Sequence, residues 1–307
     1  MPLVLLFIAG PAFFLLRYEI AQQRQDSGRP VLRMGCKNFS EQLLLGEIMA
    51  RMVEQHSDMI VERVFNLGGT SICHKAMLAG EIDLYAEYSG TALAVVLKAE
   101  SGGTPNEIWK TVTEVYRNDF DLEWLSPLGF NNTYTLTVRN DDADDKGWSS
   151  LSNLAASASS LKAGFTSEFL ERKDGYPGLR NRYDLEFGEV VDLDPSLMYE
   201  ACRDGQVDVI CAFATDGRIE AYNLKTLKDD RAFFPPYHAA PVIRSQTLEE
   251  HPELRRIFGL LAGRLDDDTM RGLNREVSLE KRAISEVAQS FIDGFSVAAI
   301  QKKSTIR

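Results

Sequence analysis

AMLAGEIDLYAEY (76–88) and ACRDGQVDVICAF (201–213) run in step, and their match decides the reading of this chain. Ala76, Gly80, Asp83 and Tyr88 stand at the same offset as Ala201, Gly205, Asp208 and Phe213, while Ile82 and Leu84 match Val207 and Val209. Each copy reads as the end of a helix, a glycine that stops it, a turn, and a strand that delivers an aromatic near its carboxyl end. Helix–glycine–strand is common in α/β folds, so the shared aromatic position is the more telling part. Ligands of open α/β sheets bind beyond the carboxyl ends of the strands. Two such units facing each other therefore point Tyr88 and Phe213 into one cleft.

Working outward, VLRMG (31–35) predicts a strand and SEQLLLGEIMARMVEQ (40–55) a helix with Ser40 as its N-cap. IVERVFNL (60–67) follows as a strand, then Gly68, Gly69 and Thr70 turn the chain into a helix over 71–79, and IDLYAEY (82–88) is the third strand. The same grammar returns in strands YTLTVR (134–139), LKAGFT (161–166), VDVICAF (207–213) and AAPVIRS (239–245), with LMYEACRDG (197–205) a helix. DDADDKGW (141–148) lacks the spaced ligands of a calcium loop and is expected to be a solvated acidic loop. Beyond Pro252 the period is helical. The expected fold is an α/β, two-lobed clamshell with the ligand cleft between lobes. The chain would cross near Tyr134 and return near Tyr237, giving lobe I as 31–136 plus 241–303 and lobe II as 137–240, behind a leading segment 1–30.

Composition narrows the function. A length of 307 residues suits about two domains, and 44% apolar with 26% charged residues is ordinary for a soluble globular protein. The net charge is −11 and the basic residues are scattered, which argues against nucleic acid and anionic lipid as partners. Cys36, Cys73, Cys202 and Cys211 show no metal-ligand spacing and read as buried free thiols. No nucleophile elbow, zinc-protease helix, phosphate loop or dinucleotide fingerprint is present. No enzyme activity, metal or cofactor is expected. PLVLLFIAGPAFFLL (2–16) carries no charge, falls short of the roughly 20 residues of a comfortable span and fits a signal-peptide core; a buried core helix is the plainer alternative. With the polar tether YEIAQQRQDSGRP (18–30) it points to a periplasmic or extracytoplasmic protein, the segment being either a signal or an uncleaved membrane anchor.

Tyr88 and Phe213 at strand ends, and Tyr134 and Tyr237 at the two crossings, would wall one cavity with aromatic faces. Such a cavity suits a quaternary ammonium ion, each ring contributing on the order of 0.5–2 kcal/mol. Any one of these rings alone reads more readily as core. Lys37, Arg172 and Thr91 are weak signals singly, Thr91 doubling as a helix N-cap. Gln42 either reaches a ligand hydroxyl or completes helical surface.

MGCKNFSEQLLLGEIM (34–49) resembles the opening motif of the osmoprotectant-binding proteins of ABC transporters, the glycine betaine and choline binders. LGGTSICHKAMLAGEIDLYAEYSGTAL (67–93), GFNNTYTLTV (129–138), FLERKDGYPGL (169–179), FATDGRI (213–219) and FFPPYHAAP (233–241) match further blocks in the same order, and HPELRRIFGLLAGRLDDDTMRGLNREV (251–277) its closing helices. The resemblance spans 31 to about 292. It implies a two-lobed type II periplasmic-binding-protein fold, capture of a compatible solute and delivery to a membrane ABC permease; the chain itself is expected to be a monomer. Carried over, the aromatic cage falls on Tyr88, Tyr134, Phe213 and Tyr237, with Phe213 where the family usually has Tyr. Carboxylate-binding positions fall on Lys37, Thr91 and Arg172, and Asn132 and Glu168 match positions near the ligand. Cys36 stands where Ser is more usual.

Lys37 from one lobe and Arg172 from the other would clamp a ligand carboxylate, and choline would leave two buried cations without an anion. Glycine betaine is therefore the expected ligand, unless Glu168 neutralises Arg172 and admits choline. A choline- or carnitine-specific binder, and a two-lobed binder of amino acids or oxyanions, are the alternatives; a hydrolase or lyase on the same scaffold has no motif behind it.

Overall fold

Ten strands form two five-stranded sheets in the computed structural model, which describes residues 28–99 and 104–304. The apolar segment 2–16 lies outside the described residues. In chain order the strands are β1 Val31–Gly35, β2 Ile60–Val64, β3 Leu84–Tyr88, β4 Leu122–Trp124, β5 Tyr134–Arg139, β6 Lys162–Phe165, β7 Glu189–Asp192, β8 Val209–Phe213, β9 Leu224–Thr226 and β10 Ala239–Arg244. The first sheet has the order β2-β1-β3-β10-β4 and the second β7-β6-β8-β5-β9. In each, three parallel strands are followed by an antiparallel pair whose first member, β10 in the first sheet and β5 in the second, directly follows a crossing between the lobes.

The duplicated stretches occupy equivalent places. Helix α1 (Ser40–His56) follows β1, α2 (Thr70–Leu78) leads into β3, and α3 (Met198–Arg203) leads into β8. Gly80 and Gly205 end α2 and α3 with φ of 68° and 72°, a left-handed turn that favours glycine. β3 is buried along its whole length, as expected of a strand covered on both faces. Helix α4 (Asp267–Ser278) and the long helix Ile284–Ser304 pack on α1, where Arg51 Nη1 donates to Gln289 Oε1 at 2.6 Å.

Two local expectations fail. Residues 141–148 are not a loop: Asn140–Lys146 is helical. Asp141 and Asp142 in its first turn complement the helix dipole, Arg139 Nε reaches Asp142 at 2.6 Å, and Gly147 (φ 71°) closes the end. Ser40 is not the cap of α1; Phe39 holds that position, without a side-chain cap.

The two crossings run side by side. Asn131 and His238 form an antiparallel bridge, Asn132 N–H donates to the Tyr237 carbonyl at 3.2 Å, and Tyr237 N–H donates to Asn131 Oδ1 at 2.6 Å.

Candidate functional site

Between the sheets lies a cavity of about 420 Å³, within the usual range of small-molecule sites. The carboxyl ends of the parallel strands supply it. Lys37 lies just past β1, Tyr88 ends β3, Thr166 follows β6, Asp192 ends β7 and Phe213 ends β8. The antiparallel strands bring their starts to the same place: Tyr134 pairs with Phe213, and Ala239, just after Tyr237 and His238, pairs with Tyr88.

Nine of the sequence-derived residues line this cavity: Lys37, Tyr88, Thr91, Asn132, Tyr134, Glu168, Arg172, Phe213 and Tyr237. Gln42 does not. It is wholly buried, its Oε1 accepting from the Lys37 backbone N–H at 3.4 Å. A ring that sequence reasoning missed completes the wall. Phe39 stacks on Phe213 across the cleft at 5.3 Å and 7°, and on Tyr88 at 6.4 Å. Tyr134 meets Phe213 at 5.1 Å and Tyr237 at 5.7 Å, the latter edge to face. The signal for Phe39 was the one used for Tyr88, an aromatic just beyond a strand end. Gly90 allows this packing, because a Cβ there would lie 2.8 Å from the Tyr237 ring.

Buried carboxylates behind the wall hold the rings and cations. Tyr88 Oη donates to Glu41 at 2.7 Å and Tyr237 Oη to Asp174 at 2.7 Å. Burial pushes both phenols well above their usual range. Lys37 Nζ lies 2.6 Å from Glu87 and 5.1 Å from the Tyr88 ring centroid, and Tyr85 Oη donates to the same carboxylate at 3.0 Å. Arg172 grips Asp174 through Nε at 2.7 Å and through Nη2, reaches Thr91 Oγ1 from both terminal nitrogens at 3.3 Å, and meets Glu168 at 3.3 Å. Its guanidinium lies 5.1 Å from the Tyr134 ring.

These pairs bear on the expected carboxylate clamp. Both cations are paired within the protein: Lys37 has Glu87, and all five N–H groups of a guanidinium are accounted for at Arg172 by Asp174, Thr91 and Glu168. Choline would leave no buried cation unpaired. Glu87 was legible in principle as a lone charge inside the buried strand LYAEY, which needs a partner. Asp174 gave no such signal. The mouth is acidic too, with Asp192 and Asp194 on the second lobe. Burial raises the Glu168 carboxyl, but Arg172 and Lys37 more than offset this and hold it below its usual range.

Glu41 ties the elements together. Its Oε1 accepts from Tyr88 Oη and Asn132 Nδ2 (2.8 Å), its Oε2 from Thr215 Oγ1 (2.5 Å) and Asn274 Nδ2 (2.8 Å). Burial nevertheless pushes this carboxyl above its usual range. Cys36 is buried, its thiol pushed up to about 12 by desolvation, and all four cysteines are free. His238 does not line the cavity.

Residues 30–294 match the family described as the substrate binding domain of ABC-type glycine betaine transport systems. The chain belongs to this family. It is 35% identical over 268 residues to a carnitine transport binding protein of Listeria monocytogenes, covering 87% of each chain. It is 33% identical over 273 residues to a glycine-betaine-binding protein of Pseudomonas aeruginosa, covering 85% of this chain and 86% of that one. The crystal structure of a glycine betaine/carnitine/choline ABC transporter protein superposes with a TM-score of 0.71 at 30% identity, over 87% of this chain and 98% of that chain. The fold is thus the two-lobed α/β clamshell of the osmoprotectant-binding family. Its members are transport substrate-binding proteins, not enzymes; they work outside the cytoplasm, and an ABC permease is the implied partner. Among the described residues, no helix is long and apolar enough to cross a membrane.

Proposed function

We propose that this protein captures a quaternary-ammonium osmoprotectant in the ring-walled cavity and delivers it, as a monomer, to an ABC permease, the segment 2–16 serving as export signal or anchor. The observation that carries this reading is the convergence of Phe39, Tyr88, Tyr134, Phe213 and Tyr237 from both lobes on one cavity. Ring faces attract a cation that cannot itself donate hydrogen bonds, and the acidic mouth favours positive charge. An amino-acid or oxyanion binder would need an open cationic fork, and Arg172 is already engaged.

Within the class, the pairing of both cations favours a ligand with a neutral tail, such as choline. Glycine betaine or carnitine, the ligands in the names of relatives, enters by displacing Glu168 from Arg172. Calorimetric titration with choline, glycine betaine, carnitine, proline and sulfate tests the reading. Binding of the ammonium compounds alone supports it; binding of proline or sulfate in their place overturns it. Glu168→Gln decides the tail, since it should strengthen glycine betaine and leave choline little changed or weaker.

A further inference from the structure

Behind the Phe39–Phe213 ring pair lies a second chamber of about 140 Å³, large enough to hold several waters. It shares Asn38, Phe39, Asn132, Pro195 and Phe213 with the main cavity, so the two adjoin along the stacked rings. Its far wall is α4, which presents Asn274 and Ser278, one helical turn apart.

The polar groups of the chamber fall into two sets. Glu41 is saturated by four donors. Asp216 is held by Arg218, through Nε at 3.0 Å and Nη2 at 2.7 Å. By contrast, Asn274 Oδ1 and Ser278 Oγ have no partner among the described residues, although the two side chains are only 4% and 9% exposed. The Asn274 amide cannot turn over to pair this oxygen, because its Nδ2 is committed to Glu41 at 2.8 Å and to the Thr215 carbonyl at 3.1 Å. Buried polar atoms left unpaired are costly, and the two residues that carry them line one cavity.

We propose that the chamber extends the ligand site and takes a hydroxyl-bearing arm of the ammonium ligand, with Asn274 and Ser278 as the recognising pair; this rests on the quaternary-ammonium reading above. A hydroxyl donates to Asn274 Oδ1 and accepts from Ser278 Oγ, satisfying both. A carboxylate only accepts, leaves Asn274 Oδ1 unpaired and meets Glu41. An alkyl arm satisfies neither. The arm passes beside the Phe39–Phe213 pair, which makes that pair a length filter between short and long ligands.

Three probes test this by calorimetry: tetramethylammonium, 4-hydroxybutyl-trimethylammonium and the isosteric pentyl-trimethylammonium. Wild type should bind the hydroxybutyl compound about three- to tenfold more tightly than the pentyl compound, the range of one net buried hydrogen bond. Ser278→Ala should reduce that ratio, leaving only the share owed to Asn274. Ser278→Leu, which fills the chamber, should weaken both long ligands while tetramethylammonium binds as before. A ratio near one in wild type, or one that Ser278→Ala leaves unchanged, overturns the inference while the cage stands. No binding of tetramethylammonium to wild type overturns the cage and the inference together.

Discussion

Asp83 in the first lobe and Asp208 in the second do the same work. Asp83 accepts from the Arg33 backbone N–H at 2.8 Å and pairs with the Arg33 guanidinium; Asp208 accepts from the Lys162 backbone N–H at 2.9 Å and pairs with Arg139. Each pins the start of a central strand to its parallel neighbour. Four residues further on the copies part company, for Glu87 in β3 has Ala212 as its counterpart in β8. Glu87 is fully buried, neutralises Lys37 and accepts the Tyr88 N–H at 2.7 Å. Lobe two carries its buried ion pair elsewhere, as Arg172 and Asp174 on the segment after β6. The positions the copies share build the scaffold, and those where they differ hold the site's charges.

The comparison breaks most visibly at Glu87. Glu87→Ala makes lobe one resemble lobe two and strips Lys37, 3% exposed, of its hydrogen-bonded carboxylate. Denaturant unfolding should show a loss of about 3–5 kcal/mol, the usual result of removing one partner of a buried pair. Adding Lys37→Met should recover a large part of it, since no charge is then left unpaired. A loss below about 1 kcal/mol in the single variant would mean that Lys37 finds water, and that the lobes do not differ in the way described.

Next in size are the rings. Tyr88→Ala, Tyr134→Ala and Tyr237→Ala should each weaken binding of a quaternary ammonium by about 1 kcal/mol or more, read by calorimetry with unfolding midpoints as control. Wild-type affinity in two of the three would remove the cage.

The duplication was legible because scaffold residues repeat at a fixed offset: the glycine stop, the aspartate clasp and the strand-end ring are local to each copy. Nine of the ten proposed ligand residues line one cavity, since strand ends and crossings converge by topology. What could not be read was pairing between distant segments. Nothing near Lys37 in sequence announces Glu87, and nothing near Phe39 announces Phe213. Gln42 was misplaced because a position one turn into a helix gives no sign of which face the helix buries. The short acidic helix was missed because it buries only Ala143 and so leaves no apolar period to see.

Two acids carry the comparison into pH dependence, with opposite signs. Glu41 has its proton affinity raised by burial, so between the usual carboxyl range and the raised value the native state binds more protons than the unfolded chain. Its contribution to stability is present at low pH and lost as pH rises from the usual carboxyl range through the raised value. Glu168 is held low by Arg172 and Lys37 against the effect of burial, so its contribution is present above the usual range and lost as pH falls. Unfolding midpoints measured against pH should therefore change slope in opposite senses in Glu41→Gln and Glu168→Gln. The same sense in both would show that one of the two environments is misassigned.

The smallest effect is expected at Phe213→Tyr, which makes the two strand ends alike. The Tyr88 hydroxyl has a dedicated acceptor in Glu41. Phe213 has no such history: its ring is half-buried, and it lies on the cleft between Phe39 and Tyr134. A hydroxyl added there meets the cavity rather than packed apolar core, so it is not forced into burial without a partner. The π face that attracts a cation is unchanged. Affinity for a quaternary ammonium should thus shift by less than about threefold, within about 0.6 kcal/mol, and the unfolding midpoint should barely move. A larger loss of affinity would mean that the new hydroxyl separates Phe213 from Phe39, whose near-parallel rings close the cleft between the lobes. In that event the stack, rather than the ring face, would be what the second lobe contributes to binding.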